Sequence, residues 1–181
     1  NSAPTTQTAV LEQMNSPKFS LADTMNLWID NTRDDLLELM GRIDALILND
    51  AEARQLSGES NLLKAASWVC GHGPTWCIIK KGEHGSLLRG PDGIFVLPAF
   101  PAEEVKDPTG AGDSFAGGLM GYLAEQGTVD LPTLKKAIAR GTITSSFTIE
   151  DFSLNRLKKV TKDEIDERLE MFIDCTHLPR D

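Results

Sequence analysis

The residues with the clearest chemical potential lie in one stretch, residues 105–115, which reads Val-Lys-Asp-Pro-Thr-Gly-Ala-Gly-Asp-Ser-Phe. Gly110, Ala111 and Gly112 have almost no side chains, so backbone can approach a ligand closely and the first N–H groups of a following helix stay free. Those donors and the positive end of the helix dipole favour an anion, and phosphate is the commonest biological one. Asp113 adds a carboxylate at the helix start, which is either a base beside a phosphate or a helix N-cap.

The spacing from Asp107 to Asp113, Asp-x-Thr-Gly-Ala-Gly-Asp, fixes six positions that random composition would produce in on the order of one chain in 10⁵. It resembles the second signature of the PfkB carbohydrate kinase (ribokinase-like) family, with Pro108 where Thr is frequent. The resemblance implies that Asp113 is the catalytic base facing the substrate hydroxyl. It also implies that the backbone amides from Gly110 to Asp113 hold the transferred phosphoryl group. A dinucleotide fingerprint would need Gly at Phe115, and the sequence contains no P-loop.

A second candidate element follows an apolar strand predicted over residues 43–48. Asn49 and Glu52 lie three residues apart across a strand-to-helix junction, so both could face one ligand. The alternative is a capping box that only stabilises the helix start. The resemblance makes this pair the family's phosphate and magnesium element, in which Asn49 contacts the nucleotide. Glu52 would then hold Mg²⁺ through water, because Mg²⁺ takes few protein carboxylates.

Two polar residues, Asp23 and Asn26, follow a short strand predicted over residues 17–23. Ligands of open α/β sheets gather at the carboxyl ends of strands, which makes both residues candidates for substrate binding. A turn or a helix cap is the alternative. The stretch Asp-Thr-Met-Asn also resembles an Asp-x-Asn element of the family's sugar site.

Further nucleotide-binding candidates come from the resemblance. Lys81, Gly82 and Gly85 lie in a Gly-x-x-Gly turn that resembles the family's nucleotide-side loop, although Gly pairs also make ordinary turns.

Small residues along a helix predicted over residues 131–148, Ala137 and Gly141 among them, match the family's adenine pocket, with helix packing as the alternative. Thr109 is a further nucleotide-binding candidate. Asp107 is a candidate metal ligand, because some family members bind a monovalent cation such as K⁺ through carbonyls near these two positions.

Composition limits the function. The 181 residues carry a net charge of −9, which argues against a nucleic-acid or anionic-membrane partner. No apolar run reaches membrane-spanning length, and three cysteines fit a reducing compartment, so we expect a cytoplasmic protein. The length suits a single domain over residues 1–181.

The order of predicted elements indicates the α/β class, with a mainly parallel sheet in a three-layer α/β/α arrangement. A loop is predicted over residues 2–6. Helices are predicted over residues 34–40, 61–69, 113–126, 131–148 and 162–172, and further strands over residues 75–80, 86–89 and 94–97. The last two strands flank a hairpin signal, Gly-Pro-Asp-Gly.

The resemblance covers the later portion of the family's fold. Family members have a preceding half that supplies the Gly-Gly motif, a small β lid and most of the sugar site. The intact protein would transfer the γ-phosphoryl group of ATP to a hydroxyl of a sugar or nucleoside. The alternative is a truncated, non-catalytic nucleotide- or phosphate-binding module that needs a partner. An uncovered sheet edge would then favour homo-oligomers.

The motif generates one test at Gly112. Replacing Gly112 with Val should weaken ATP binding more than folding, because a branched side chain crowds the approach of the phosphate to the amides. Calorimetric ATP titration and thermal melting measure the two effects. Unchanged ATP affinity with a collapse of thermal stability would make the turn structural.

Overall fold

The computed structural model describes residues 2–177, which fall into two compact units. The first unit takes in the chain up to Gly82 together with Ser86–Val96. The second takes in Glu83–Gly85 and the chain from Leu97 onward. The single-domain assignment stays a prediction, and each unit is described here by itself.

The first unit alternates helices and strands. In chain order its elements are α1 (Pro4–Gln13), β1 (Leu21–Asp23), α2 (Asn26–Asn31), α3 (Arg33–Met40), β2 (Ala45–Asn49), α4 (Asp50–Ser57), α5 (Leu62–Cys70), β3 (Trp76–Lys80), β4 (Ser86–Gly90) and β5 (Gly93–Leu97). Helix α1 begins at Pro4, so the predicted loop over residues 2–6 is wrong beyond Ala3. Proline suits the first helical position because its missing N–H would have no partner there anyway. Strand β1 is shorter than the strand predicted over residues 17–23.

The five strands form one sheet in the order β1-β2-β3-β4-β5. Strand β2 runs parallel to β1 and to β3, whereas β4 is antiparallel to β3. This confirms the α/β class with parallel central strands. Within the described residues β1 and β5 are the edge strands. Self-association along an edge stays a prediction.

The two faces of the sheet differ because side chains alternate along a strand. One face packs on the helices of the first unit, with Ala22, Leu46, Leu48, Cys77, Ile79 and Leu87 in one buried cluster. The register puts Ile47 opposite Asp23, Asn49 opposite Lys80, and Lys80 opposite Ser86. The polar residues that end these strands therefore share the other face of the sheet.

The second unit is helical. Its elements are α6 (Ala111–Gln126), α7 (Leu131–Thr148), a 3₁₀ turn (Leu157–Lys159) and α8 (Lys162–Thr176). Helices α6 and α7 approach closely at two glycines. A Cβ added to Gly118 would lie 2.4 Å from Thr144 Oγ1, and one added to Gly141 would lie 2.6 Å from the carbonyl oxygen of Phe115. None of the helices within residues 2–177 is long and apolar enough to cross a membrane.

An ionic network ties the end of α7 to α8. Arg156 Nε donates to Glu150 at 2.9 Å and Arg156 Nη2 to Glu164 at 2.7 Å, while Arg168 Nη2 lies 2.6 Å from Glu150. Both guanidinium groups also lie over the ring of Phe147, at 4.9 and 3.5 Å. Each arginine therefore combines charge pairing with cation–π contact.

The network makes stability depend on pH through Glu164. Bonds from Arg156 and from the Thr161 amide lower the pKa of Glu164 from 4.5 to about 2. Since the folded-state pKa lies below the ordinary value, its contribution is complete above pH 4.5 and is lost as the pH falls towards 2. Glu164→Gln should therefore lower the melting temperature at pH 7 and lose less than the wild type between pH 7 and pH 3. If the melting temperatures of the two proteins fell by the same amount between pH 7 and pH 3, the prediction would be wrong.

Candidate active site

The start of α6, in the second unit, is the first group of candidate residues. Its N-cap is Gly110, with φ +82° in the left-handed region, and no side chain caps the helix. A Cβ added to Gly110 would meet nothing within 4 Å, so this glycine is required by its backbone conformation rather than by neighbouring atoms.

Asp113 is the third residue of α6, and its side chain is exposed. The helix start has no side-chain capping bond, so the N-cap alternative for Asp113 is wrong. Its position in the first turn is favourable for a carboxylate because of the helix dipole. The structure thus gives Asp113 no capping role that would explain its place in the motif.

The backbone amides around Asp113 are only partly used by the chain. The N–H of Ala111 donates to the carbonyl oxygen of Pro108 at 3.1 Å. The N–H groups of Gly110, Gly112 and Asp113 have no acceptor within residues 2–177. Of the four amides that the resemblance assigns to an anion hole, three are therefore open to a ligand and one is engaged in a turn.

The segment before this turn is held by hydrogen bonds. Asp107 Oδ1 accepts from the N–H of Thr109 at 2.9 Å, and Thr109 lowers the pKa of this exposed carboxyl. The carbonyl oxygen of Ile149 accepts from the N–H of Lys106 at 2.8 Å and of Asp107 at 3.4 Å. The Asp107 side chain therefore shapes the turn. A cation near Asp107 and nucleotide binding by Thr109 stay predictions.

A separate group of candidate residues lies in the first unit, where the capping box of α4 is present. Asn49 Oδ1 accepts from the N–H of Glu52 at 2.8 Å, and Glu52 Oε2 accepts from the N–H of Asn49 at 2.7 Å. Glu52 is only 9% exposed. Burial raises its pKa, the Asn49 amide opposes that rise, and Asp23 adds to it while Lys80 lowers it. Two carboxylates and one ammonium group thus act on each other at the carboxyl ends of β1–β3.

The carboxylate of Asp23 is engaged at this end of the sheet. Its Oδ2 lies 3.3 Å from Lys80 Nζ, and its Oδ1 accepts from the N–H of Thr24 at 2.8 Å. Asn26 begins α2 and is exposed, and the N-cap of that helix is Met25 without a side-chain bond. Neither predicted substrate-binding residue is a helix cap. The structure groups Asp23 with Glu52 and Lys80, and shows no bond between these and Asn26.

The predicted nucleotide-side turn contains two different glycines. Gly82 has φ +56° and open space around it, and Lys81 before it is partly exposed. Gly85 has φ +83°, and a Cβ there would lie 2.1 Å from the carbonyl oxygen of Leu97. Packing of the chain alone therefore requires glycine at position 85. Nucleotide binding by this turn stays a prediction.

The small residues of α7 are buried in helix packing. Ala137 is fully buried, and Gly141 faces the backbone and ring of Phe115 on α6. The packing alternative thus accounts for the size of Gly141. An adenine contact at these positions stays a prediction.

Comparison with solved structures shows the class of fold. A nucleoside kinase from Methanocaldococcus jannaschii, an archaeal member of the ribokinase family, superposes with a TM-score of 0.75 over 94% of this chain, at 24% identity. Aminoimidazole riboside kinase from Salmonella enterica, solved with aminoimidazole riboside and an ATP analogue, gives 0.74 over 83% of this chain, at 26% identity. The predicted ribokinase-like fold is confirmed.

The sequence comparisons then give the family. The profile of the pfkB family carbohydrate kinases matches residues 4–159, so the chain belongs to the PfkB family. A relative named cytidine kinase, from Thermococcus kodakarensis, is 42% identical over 94 residues, which are 50% of this chain and 33% of that protein. This chain covers 54% and 52% of the two solved kinases above, about half their length.

Sequence reasoning missed Lys80, which the structure pairs with Asp23. The signal was available, because Lys80 ends a strand and the carboxyl-end rule that selected Asp23 applies to it equally.

The capping box generates a stability test. Asn49→Ala removes the side-chain acceptor for the Glu52 amide and should lower the free energy of unfolding by about 1 kcal/mol, whereas Asn49→Asp keeps the acceptor and should cost less. Urea unfolding measures both. Equal stability of wild type and Asn49→Ala would show that the box does not hold the start of α4.

Proposed function

We propose that this chain belongs to an ATP-dependent phosphotransferase that acts on a hydroxyl group of a sugar or nucleoside. The observation that supports this most strongly is the start of α6, where Asp113 has no capping role and three amides have no acceptor within the described residues. Membership of a carbohydrate kinase family and the kinase names of its relatives agree with it.

The proposed chemistry assigns a separate role to each part of this turn. Asp113 accepts the proton of the substrate hydroxyl while the hydroxyl oxygen forms a bond to the γ-phosphorus of ATP. The bond from that phosphorus to the ADP oxygen breaks. The N–H groups of Gly110 and Gly112 donate to the oxygens of the moving phosphoryl group. This suits phosphoryl transfer, in which positioning and electrostatics supply most of the catalysis.

Glu52 is the residue that would hold Mg²⁺. Its Oε2 is used by the capping box, and its Oε1 has no donor within the described residues. Burial disfavours its charged form, which a nearby cation would offset. No group of three or more His, Cys, Asp or Glu within residues 2–177 could hold a metal. Mg²⁺ keeps several waters and binds through one or two carboxylates and the phosphates of the nucleotide, whose charge it would neutralise.

The proposal also includes the second substrate and the cellular compartment. The substrate beside ATP is a small sugar or nucleoside, as the names of the relatives suggest. Three free cysteines, Cys70, Cys77 and Cys175, support a reducing, cytoplasmic compartment.

The test is the charge of Asp113. In an enzyme that contains this chain and turns over, Asp113→Asn should lower turnover by at least about 10² while nucleotide affinity stays near the wild-type value, because a general base acts on the transition state. Steady-state kinetics with a panel of sugars and nucleosides, together with an ATP titration, measures both.

The matched control is Glu125→Gln, which removes an exposed carboxylate near the other end of α6. It should leave turnover unchanged. Near-normal turnover in Asp113→Asn would remove the proposed base. ATP binding without phosphoryl transfer to any member of the panel would favour the non-catalytic nucleotide-binding module.

A further inference from the structure

The segment between β5 and α6, residues 98–110, has no helix or strand of its own and is anchored by contacts within the second unit. The carbonyl oxygen of Ile149 accepts from the N–H of Lys106 at 2.8 Å and of Asp107 at 3.4 Å. The ring of Phe100 packs against the ring of Phe172 on α8, with centroids 6.1 Å apart. Residues 101–106 are exposed, so the path of this segment depends on such anchors.

Glu150 follows Ile149 directly, and both oxygens of its carboxylate are engaged. Oε2 accepts from Arg156 Nε at 2.9 Å, and Oε1 lies 2.6 Å from Arg168 Nη2. Two bonds to two different arginines hold the Glu150 side chain in one orientation. The Arg168 guanidinium group also lies over the ring of Phe100, 5.0 Å from its centroid. One arginine therefore contacts both the residue after the anchoring carbonyl and a ring in the segment before α6.

Short hydrogen bonds connect this anchor to the start of α6. Asp107, whose N–H donates to the anchoring carbonyl, accepts through Oδ1 from the N–H of Thr109 at 2.9 Å. The carbonyl oxygen of Pro108 accepts from the N–H of Ala111 at 3.1 Å. Ala111 is the first residue of α6 and Asp113 is the third. A displacement of the Asp107 amide is therefore passed on to the helix start and to the proposed base.

The ion pairs of Glu150 are too close to solvent to contribute much to global stability. The side chains of Glu150, Arg156 and Arg168 are 32%, 25% and 18% exposed. Water screens such pairs, and holding two long side chains in one geometry costs entropy. What the pairs supply is a fixed position for the backbone that follows α7. Position matters for phosphoryl transfer, because a small displacement of a catalytic group lowers the rate strongly.

We propose that Glu150 is a positioning residue for phosphoryl transfer. Held by Arg156 and Arg168, it fixes the carbonyl of Ile149, which in turn holds the backbone that leads into α6. The proposal rests on the proposed function, because the groups that are positioned are the open amides of α6 and the carboxylate of Asp113. It gives Glu150 no contact with nucleotide or substrate.

The first experiment measures amide hydrogen exchange by NMR in the full 181-residue chain. Glu150→Gln keeps the size of the side chain and removes its charge, so both ion pairs are lost. The amides of Lys106 and Asp107 should then exchange at least several-fold faster, because the carbonyl that accepts from them is held less firmly. Unchanged exchange at both amides overturns the proposal.

Asp166→Asn is the matched control, because it breaks another ion pair between α7 and α8, the one with Arg140. Among the described residues, neither partner of that pair bonds to the segment before α6. The control should leave exchange at Lys106 and Asp107 unchanged. If Glu150→Gln instead accelerates exchange along α7 and α8 with no excess at these two amides, its role is purely structural and the proposal is overturned.

The second experiment uses an enzyme that contains this chain and turns over. Glu150→Gln should lower kcat by about 10-fold while the KM for ATP changes by less than about 2-fold, and Asp166→Asn should leave both unchanged. Arg168→Met should lower kcat similarly, and the double variant should be no worse than the poorer single variant, because both remove the same placement. Fully additive losses, or faster exchange at Lys106 and Asp107 with unchanged kcat, overturn the proposal.

A milder variant covers the case in which Glu150→Gln does not fold. Arg168→Lys keeps the positive charge and offers one nitrogen in place of the two that bond Glu150 and Ser146. It replaces Glu150→Gln in both measurements, with the same expected directions and the same overturning results.

The outcomes also separate this proposal from the proposed function. Unchanged exchange at Lys106 and Asp107 overturns the positioning role alone. If Glu150→Gln accelerates that exchange but the enzyme transfers phosphate to no sugar or nucleoside, the proposed function is overturned, and the placement of the turn by Glu150 stands.

Discussion

Helix α6 begins without a side-chain cap, and this open start is the constraint on which the candidate chemistry depends. Gly110 takes a left-handed conformation that other residues rarely adopt, and the amides of Gly112 and Asp113 are left without an acceptor among the described residues. Unpaired helix N–H groups are costly unless water or a ligand satisfies them. In the proposed function, these open amides bind the phosphoryl group, which is why the helix start is left uncapped.

The turn before α6 is held by hydrogen bonds to Ile149, which lies more than 40 residues later in the chain. The carbonyl of Ile149 accepts from two consecutive amides of that turn, and the next residue, Glu150, bonds both Arg156 and Arg168. These bonds fix Glu150 between α7 and α8, and with it the neighbouring carbonyl. The ionic network therefore has a consequence beyond stability, because it helps to place the backbone from which the α6 motif starts.

Helices α4, α6 and α8 have an acidic residue three positions after the N-cap, and this residue forms a capping box in α4 and α8 but not in α6. Asn49 and Glu52 form a closed pair of hydrogen bonds, and Thr161 forms another capping box with Glu164 on α8. Asp113 stands at the same distance from its N-cap as Glu52 does, yet its N-cap is a glycine that offers no side chain. In α4 the acidic residue forms a capping box because the N-cap, Asn49, has a polar side chain. Where the N-cap is Gly110, the carboxylate of Asp113 forms no such bond.

The sequence by itself determined the family motif and most of the later elements, but not the start of α1 at Pro4. The limits of α7 agree with the predicted helix over residues 131–148, because turn residues and apolar periodicity act within a few residues of chain. The sequence did not determine contacts between residues that are far apart in the chain. Only the tertiary structure showed that Gly141 is small because Phe115 lies against it, and that Lys80 stands beside Asp23, 57 residues earlier in the chain. Such contacts follow from strand order and helix packing, which no local pattern of residues specifies.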